Sequence, residues 1–70
     1  MEEQIQITVN GEPRQVPAPV TLAELLDHIG LDTRKVAVER NLEIVPRSTY
    51  AATRLAAGDR LEIVHFIGGG

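Results

Sequence analysis

The chain has 70 residues and a mass of 7.6 kDa, with 7 basic against 10 acidic side chains, a net charge of −3, 43% hydrophobic residues and 3% aromatic ones. Surface scaling for a chain this short buries only about 60% of the unfolded surface, so it forms one small domain with little room for an internal active site, which favours a binding, carrier or modifier role. Nucleic acid is excluded as a partner because Arg34-Lys35 is the only adjacent basic pair, and the absence of cysteine removes disulfides, thiolate metal sites and any thiol nucleophile.

Gln4 to Val9 alternate, with Ile5, Ile7 and Val9 on one face and Gln4, Gln6 and Thr8 on the other, the period of a half-buried strand. Asn10-Gly11 supplies the dipeptide that a tight hairpin turn prefers. A second strand is predicted through Arg14 to Val16, short and at a sheet edge because Pro13 and Pro17 lack an amide donor. The period then changes: Leu22, Leu25, Leu26 and Ile29 fall at i, i+3, i+4 and i+7, which predicts a helix of about two turns. Thr21 and Glu24 have capping-box spacing, Val20 and Leu25 can form a hydrophobic staple, and Gly30-Leu31 suits a left-handed stop.

Beyond the helix, Val36 and Val38 predict a third strand running to Arg40, followed by a turn at Asn41-Leu42-Glu43 and a fourth strand over Ile44-Val45-Pro46. Arg47 to Leu55 read as a loop or short 3₁₀ segment with Tyr50 tucked down. Ala57-Gly58-Asp59 marks a turn before a last strand from Arg60 to Ile67. A two-turn helix with a single apolar stripe must bury it against a sheet. The expected fold is therefore α+β, a mixed four- or five-stranded sheet wrapped on one helix, which is the β-grasp (ubiquitin-like) architecture. Ile5, Ile7, Val9, Leu22, Leu25, Leu26, Ile29, Val36, Val38, Leu61 and Ile63 are its predicted core. Residues 1–67 form this domain and 68–70 a flexible glycine tail.

Gly68-Gly69-Gly70 adds no packing and costs backbone entropy, so it does nothing for folding. It is either a frayed end or a functional tail. As a tail, Gly68 and Gly69 can thread a narrow channel and present the Gly70 carboxylate to a partner enzyme. A carboxylate is a poor acyl donor, so chemistry there requires ATP to form an acyl-adenylate from which a sulfur or amine nucleophile displaces AMP. No nucleotide-binding loop is present, so activation belongs to a partner and the chain is a substrate, with no catalytic residue and no cofactor of its own. Parity along the last strand sets Val64 and Phe66 opposite Leu61 and Ile63. Either these two form a docking patch for the enzyme that receives Gly70, or the strand ends near Val64 and Phe66 is buried locally. His28 and His65 have no second ligand at metal spacing, so no metal site is assigned. Glu24, Asp27 and Glu39 read as caps or solvated faces, Asp59 as a turn residue, and Glu2 and Glu3 as a frayed start. With no apolar run near the roughly 18 residues of a membrane span and no charged leader, the expected location is the cytoplasm.

Two segments carry a resemblance: Val38-Glu39-Arg40-Asn41-Leu42-Glu43-Ile44-Val45, and Gly58-Asp59-Arg60-Leu61-Glu62-Ile63-Val64-His65-Phe66-Ile67-Gly68-Gly69-Gly70. Together with the Asn10-Gly11 turn and the Thr-Leu-x-x-Leu-Leu helix, they make the chain resemble the bacterial thiamin-pathway sulfur carriers, the ThiS family. The bare Gly-Gly end is shared with ubiquitin and the small subunit of molybdopterin synthase; the combination of segments is more specific. The resemblance implies that a ThiF-like adenylyltransferase uses ATP to adenylate Gly70. Sulfur, usually drawn from cysteine through a desulfurase, then replaces AMP to leave a thiocarboxylate, and a ThiG-like thiazole synthase takes that sulfur into the thiazole ring. Two other roles fit a glycine-ended β-grasp domain: a protein modifier in the ubiquitin manner, and a permanent sulfur-donating subunit as in molybdopterin synthase.

Overall fold

The computed structural model describes residues 3–66. The sequence readings placed on Glu2, Ile67, Gly68, Gly69 and Gly70 lie outside the described residues. Five strands, β1 (Glu3–Val9), β2 (Glu12–Ala18), β3 (Val36–Arg40), β4 (Glu43–Val45) and β5 (Arg60–His65), form one mixed sheet in the order β2-β1-β5-β3-β4. The pair β1/β5 is parallel and the other neighbours are antiparallel. One helix, α1 (Leu22–Ile29), packs on the inner face, completing the predicted β-grasp.

The β1-β2 turn has positive φ at both Asn10 (51°) and Gly11 (83°), the geometry anticipated from the dipeptide. The second strand is longer than expected. Pro13 and Pro17 lie within it, opposite Thr8 and Gln4, because β2 is an edge strand whose free side needs no amide donors. Its length brings Val16 opposite Ile5 and buries it, a core residue that the sequence reading passed over.

Helix α1 begins in a complete capping box: Thr21 Oγ1 accepts from the Glu24 N–H (3.1 Å) and the Thr21 N–H donates to Glu24 Oε1 (2.8 Å). It ends at Gly30, whose φ of 90° lets the Leu31 N–H turn back to the Leu26 carbonyl (2.8 Å). Leu22, Leu25 and Leu26 are buried against Ile7, Val36, Val38 and Leu61, while Ile5, Val9, Ile29 and Ile63 are only partly covered. The 3₁₀ turn Arg47–Ala52 delivers Tyr50 into the core as expected, and Leu55 joins it. Hydrogen bonds from Leu22 N–H to the Thr53 carbonyl (2.8 Å) and from Leu55 N–H to the Val20 carbonyl (3.0 Å) tie this segment to the start of α1.

The hairpin between β3 and β4 differs from its sequence reading. The turn is two residues, Asn41-Leu42, and β4 starts at Glu43, so Glu39 faces Ile44 and Val38 faces Val45. Strand β5 ends at His65, short of the expected Ile67.

Candidate functional site

Strand β5 is the element from which the chain runs on to residue 70, and the fold fixes it from both sides. On the β1 side, backbone pairing covers only Thr8↔Arg60 and Val9↔Leu61. The Asn10 side chain then continues the ladder: its Oδ1 accepts from the Ile63 N–H (2.7 Å) and its Nδ2 donates to the Ile63 carbonyl (3.2 Å). A side-chain amide has a peptide's donor and acceptor, so Asn10 stands in for the missing strand residue.

On the β3 side the anchor is Asp59, a buried carboxylate. It accepts from Arg40 Nε (2.9 Å), Asn41 Nδ2 (3.1 Å) and the Ala56 N–H (2.8 Å). Asn41 Oδ1 in turn accepts from the Arg60 N–H (3.0 Å), and the Asn41 N–H donates to the Arg60 carbonyl (2.8 Å). Burial pushes the Asp59 carboxyl up, but the hydrogen bonds from Ala56, Asn41 and Arg40 outweigh it and hold the group below the usual carboxylate range. Asp59 is thus a structural hub and not the plain turn residue expected. Arg40 and Asn41 of one resembling segment meet Asp59 and Arg60 of the other in this network. At the far end, the Phe66 N–H donates to the Lys35 carbonyl (2.8 Å), pinning the last described residue.

The two sheet faces then divide the work. The outer face carries Gln4, Gln6 and Thr8 on β1, but turns apolar across β5, β3 and β4, where Val64 lies opposite Ala37 and Glu39 lies between Glu62 and Ile44. Leu42 is 87% exposed, Ile44 76%, Val64 61% and Phe66 49%, the exposed large hydrophobic residues among those described. The sequence reading singled out Val64 and Phe66, and neither is buried. It missed Leu42 and Ile44, which a two-residue turn at Asn41-Leu42 would have revealed by shifting the pairing. His28 and His65 are exposed and far apart in the chain, and among the described residues no cluster of three or more His, Cys, Asp or Glu could hold a metal ion. Asp32, at the start of the 3₁₀ turn Thr33–Lys35, is held at about 2 by hydrogen bonds from the Arg34 side chain and backbone N–H. No described helix is long and apolar enough to cross a membrane.

A mixed five-stranded sheet on one capped helix is the ubiquitin-like β-grasp. Within that class the chain belongs to the ThiS family, whose model matches residues 7–70. It is 44% identical over 50 residues to the sulfur carrier protein ThiS of Bacillus subtilis, covering 71% of this chain and 76% of that one. The crystal structure of the thiamine biosynthesis protein (ThiS) of Geobacter metallireducens superposes with a TM-score of 0.79 at 35% identity, covering 94% of this chain and all of that one. A thiazole synthase of Paramagnetospirillum magneticum is 56% identical over 66 residues, 94% of this chain. This chain spans about a fifth of the length of the thiazole synthases it matches.

Proposed function

We propose that this chain is a sulfur carrier of thiamin biosynthesis, and that its cargo is held as a thiocarboxylate on Gly70. The observation that carries the reading is the family match itself, which extends through residue 70 and takes in all three final glycines. With no cysteine in the sequence, no side-chain thiol is available to hold sulfur as a thioester or persulfide, which leaves the main-chain carboxylate.

In the proposed cycle a ThiF-like adenylyltransferase joins the Gly70 carboxylate to the α-phosphate of ATP, releasing pyrophosphate. A desulfurase hands cysteine's sulfur on as a persulfide, whose outer sulfur attacks the acyl carbon. The C–S bond forms as the C–O bond to AMP breaks, and a reducing thiol then cleaves the S–S bond, leaving a disulfide and the thiocarboxylate. A ThiG-like thiazole synthase consumes it and returns the carboxylate. The thiazole synthase partner is supported by relatives of that name that contain a counterpart of this domain. The cytoplasm, where ATP and these enzymes meet, is the compartment this reading requires. The chain's own contribution is positional: glycine at Gly68, Gly69 and Gly70 has no Cβ to obstruct a narrow channel or the approach to the acyl carbon.

Intact mass tests it. Incubated with the adenylyltransferase, ATP and a sulfur source, the protein should gain the mass difference of sulfur for oxygen, localised to Gly70, and a variant lacking Gly70 should not. An unchanged mass, or the same gain in the truncated variant, overturns the reading. The intact mass of the protein from cells reads directly whether Gly70 carries the free carboxylate that the proposal requires.

A further inference from the structure

Strand β2 has one free edge, and the hydrogen bonds of its neighbour β1 determine which backbone groups face it. On β1 the Thr8 N–H donates to the Asp59 carbonyl (3.0 Å) and the Gln6 carbonyl accepts from the Gly58 N–H (2.7 Å), so Thr8 and Gln6 turn their backbone groups away from β2. In an antiparallel pair, a residue that turns away from its partner strand lies opposite one that does the same. The register sets Thr8 opposite Pro13, Gln6 opposite Gln15 and Gln4 opposite Pro17, so Pro13, Gln15 and Pro17 hold the outward positions of β2. Proline has no N–H, which leaves Gln15 as the one outward donor on a strand of seven residues.

The spacing of the prolines matters as much as their chemistry, because they stand two residues to either side of Gln15. A second copy of this chain paired edge to edge about a two-fold axis through Gln15 would bring Pro13 of each copy opposite Pro17 of the other. The central pair of hydrogen bonds would form, both flanking pairs would be lost, and pyrrolidine rings would press on the facing carbonyls. Moving the axis to Arg14 or Val16 sets Gln15 against a proline, and each such pair keeps half of its bonds.

The opposite edge repeats the device on a shorter scale. The Asn41 N–H donates to the Arg60 carbonyl on β5, so Glu39, two residues earlier on β3, also faces β5, and Ile44 opposite it faces outward. The next outward position, just past β4, is Pro46, which has no N–H and whose carbonyl already accepts from the Thr49 N–H (2.9 Å) and Oγ1 (2.8 Å). Three of the four prolines in the sequence thus stand at outward positions of a sheet edge, a placement that strand stability does not ask for, since proline is a poor strand former.

We infer that Pro13 and Pro17 close the β2 edge to strand addition, and that what they keep out is the same edge of a second copy of this chain. An open edge of this length is a template for association, and β2 ends the order of the sheet with no strand beyond it. The inference concerns the folded domain and is independent of the chemistry at Gly70.

Sedimentation equilibrium of the full chain tests it. The wild type should remain monomeric to about 1 mM. Pro13→Thr with Pro17→Thr restores both outward donors and leaves the β1 ladder intact, because neither position donates to β1 and threonine favours strands. The double variant should dimerise at concentrations at least about a hundredfold lower, the factor that a restored pair of hydrogen bonds supplies. The Gln15 amide should become protected from hydrogen exchange as that dimer forms. Each single variant should fall between the wild type and the double variant, which keeps the test decisive if the double variant folds poorly. Gln15→Thr adds strand propensity but no donor and should stay monomeric. Proline variants that are folded yet still monomeric at about 1 mM overturn the inference. So does wild-type protein that dimerises with Gln15 protected, or Gln15→Thr that dimerises as readily as the double variant.

Discussion

Two ion pairs in this protein have nearly the same length and different surroundings. Arg40–Asp59 is 2.9 Å, with the Asp59 side chain 7% exposed and Arg40 31%; Arg34–Asp32 is 3.0 Å, with 32% and 83%. Asp59→Ala removes the acceptor of three hydrogen bonds at once, from Arg40, Asn41 and Ala56. Breaking a buried pair costs about 3–5 kcal/mol, and the partial exposure of Arg40 argues for the lower end, about 3 kcal/mol. Total stability at about 0.05–0.15 kcal/mol per residue amounts to about 3.5–10 kcal/mol for a chain of this length. The substitution therefore removes about 30% or more of it, lowering the melting temperature by roughly 12–24 °C at about 4–8 °C per kcal/mol. Asp32→Ala, at a pair of nearly the same length whose arginine is 83% exposed, should lower the melting temperature far less, its loss being chiefly the cap bond from the Arg34 N–H. Urea and thermal denaturation of both variants beside the wild type measure the contrast. If Asp59→Ala costs less than about 1 kcal/mol, no more than a surface pair, then the hub does not lock β5 and the reasoning fails.

Acid should destabilise the protein through the same hub. The Asp59 carboxyl lies below its usual range in the folded state, so its contribution is fully present above the unfolded value of about 3.9 and is lost as pH falls through the folded value. Asp59→Asn should flatten that part of the urea-midpoint profile below about pH 4, and an unaltered profile would remove Asp59 as the cause. Asn10→Gly keeps the positive φ of 51° but deletes both hydrogen bonds to Ile63; a loss of about 1–2 kcal/mol is expected, with faster amide exchange at Ile63. Gly69→Ala adds a Cβ where a channel should clamp the chain, so adenylation should fall while the melting temperature stays fixed; undiminished adenylation would sink the threading argument.

The sequence reveals this fold wherever one local signal suffices. The Asn10-Gly11 turn, the Thr21/Glu24 box, the leucine stripe and the Gly30 stop are each written within a few neighbouring residues, and each sits where its chemistry demands. The misreadings share a cause. The edge position expected for β2 is what the sheet shows, but the two prolines do not also shorten it, because a strand whose free side needs no donors tolerates them along its length. Asp59 looks like any turn aspartate until Arg40 and Asn41 arrive from 19 and 18 residues away. A leucine at positive φ is uncommon, so Asn41-Leu42 does not announce a two-residue turn, and the expected turn takes in Glu43 as well. A one-residue shift moves every side chain of β4 to the other face, which is why Ile44 was not seen as exposed.

The same anchoring bounds what a partner must look like. The described chain is pinned at Phe66 by its bond to Lys35, and residues 67–70 follow. Four residues at full extension reach at most about 14 Å. On the carrier reading, the atom that attacks Gly70 must therefore lie within about 14 Å of Phe66, on whichever enzyme holds the tail. Val64, exposed near the end of β5, is two residues before Phe66, which follows that strand, so this exposed face and the acyl carbon are joined by one short segment of chain. On that reading the length of the tail fixes where a partner must hold the domain, and glycines inserted after Phe66 should slow transfer, as single-turnover loss of the sulfur-for-oxygen mass difference would measure; unchanged transfer would refute it.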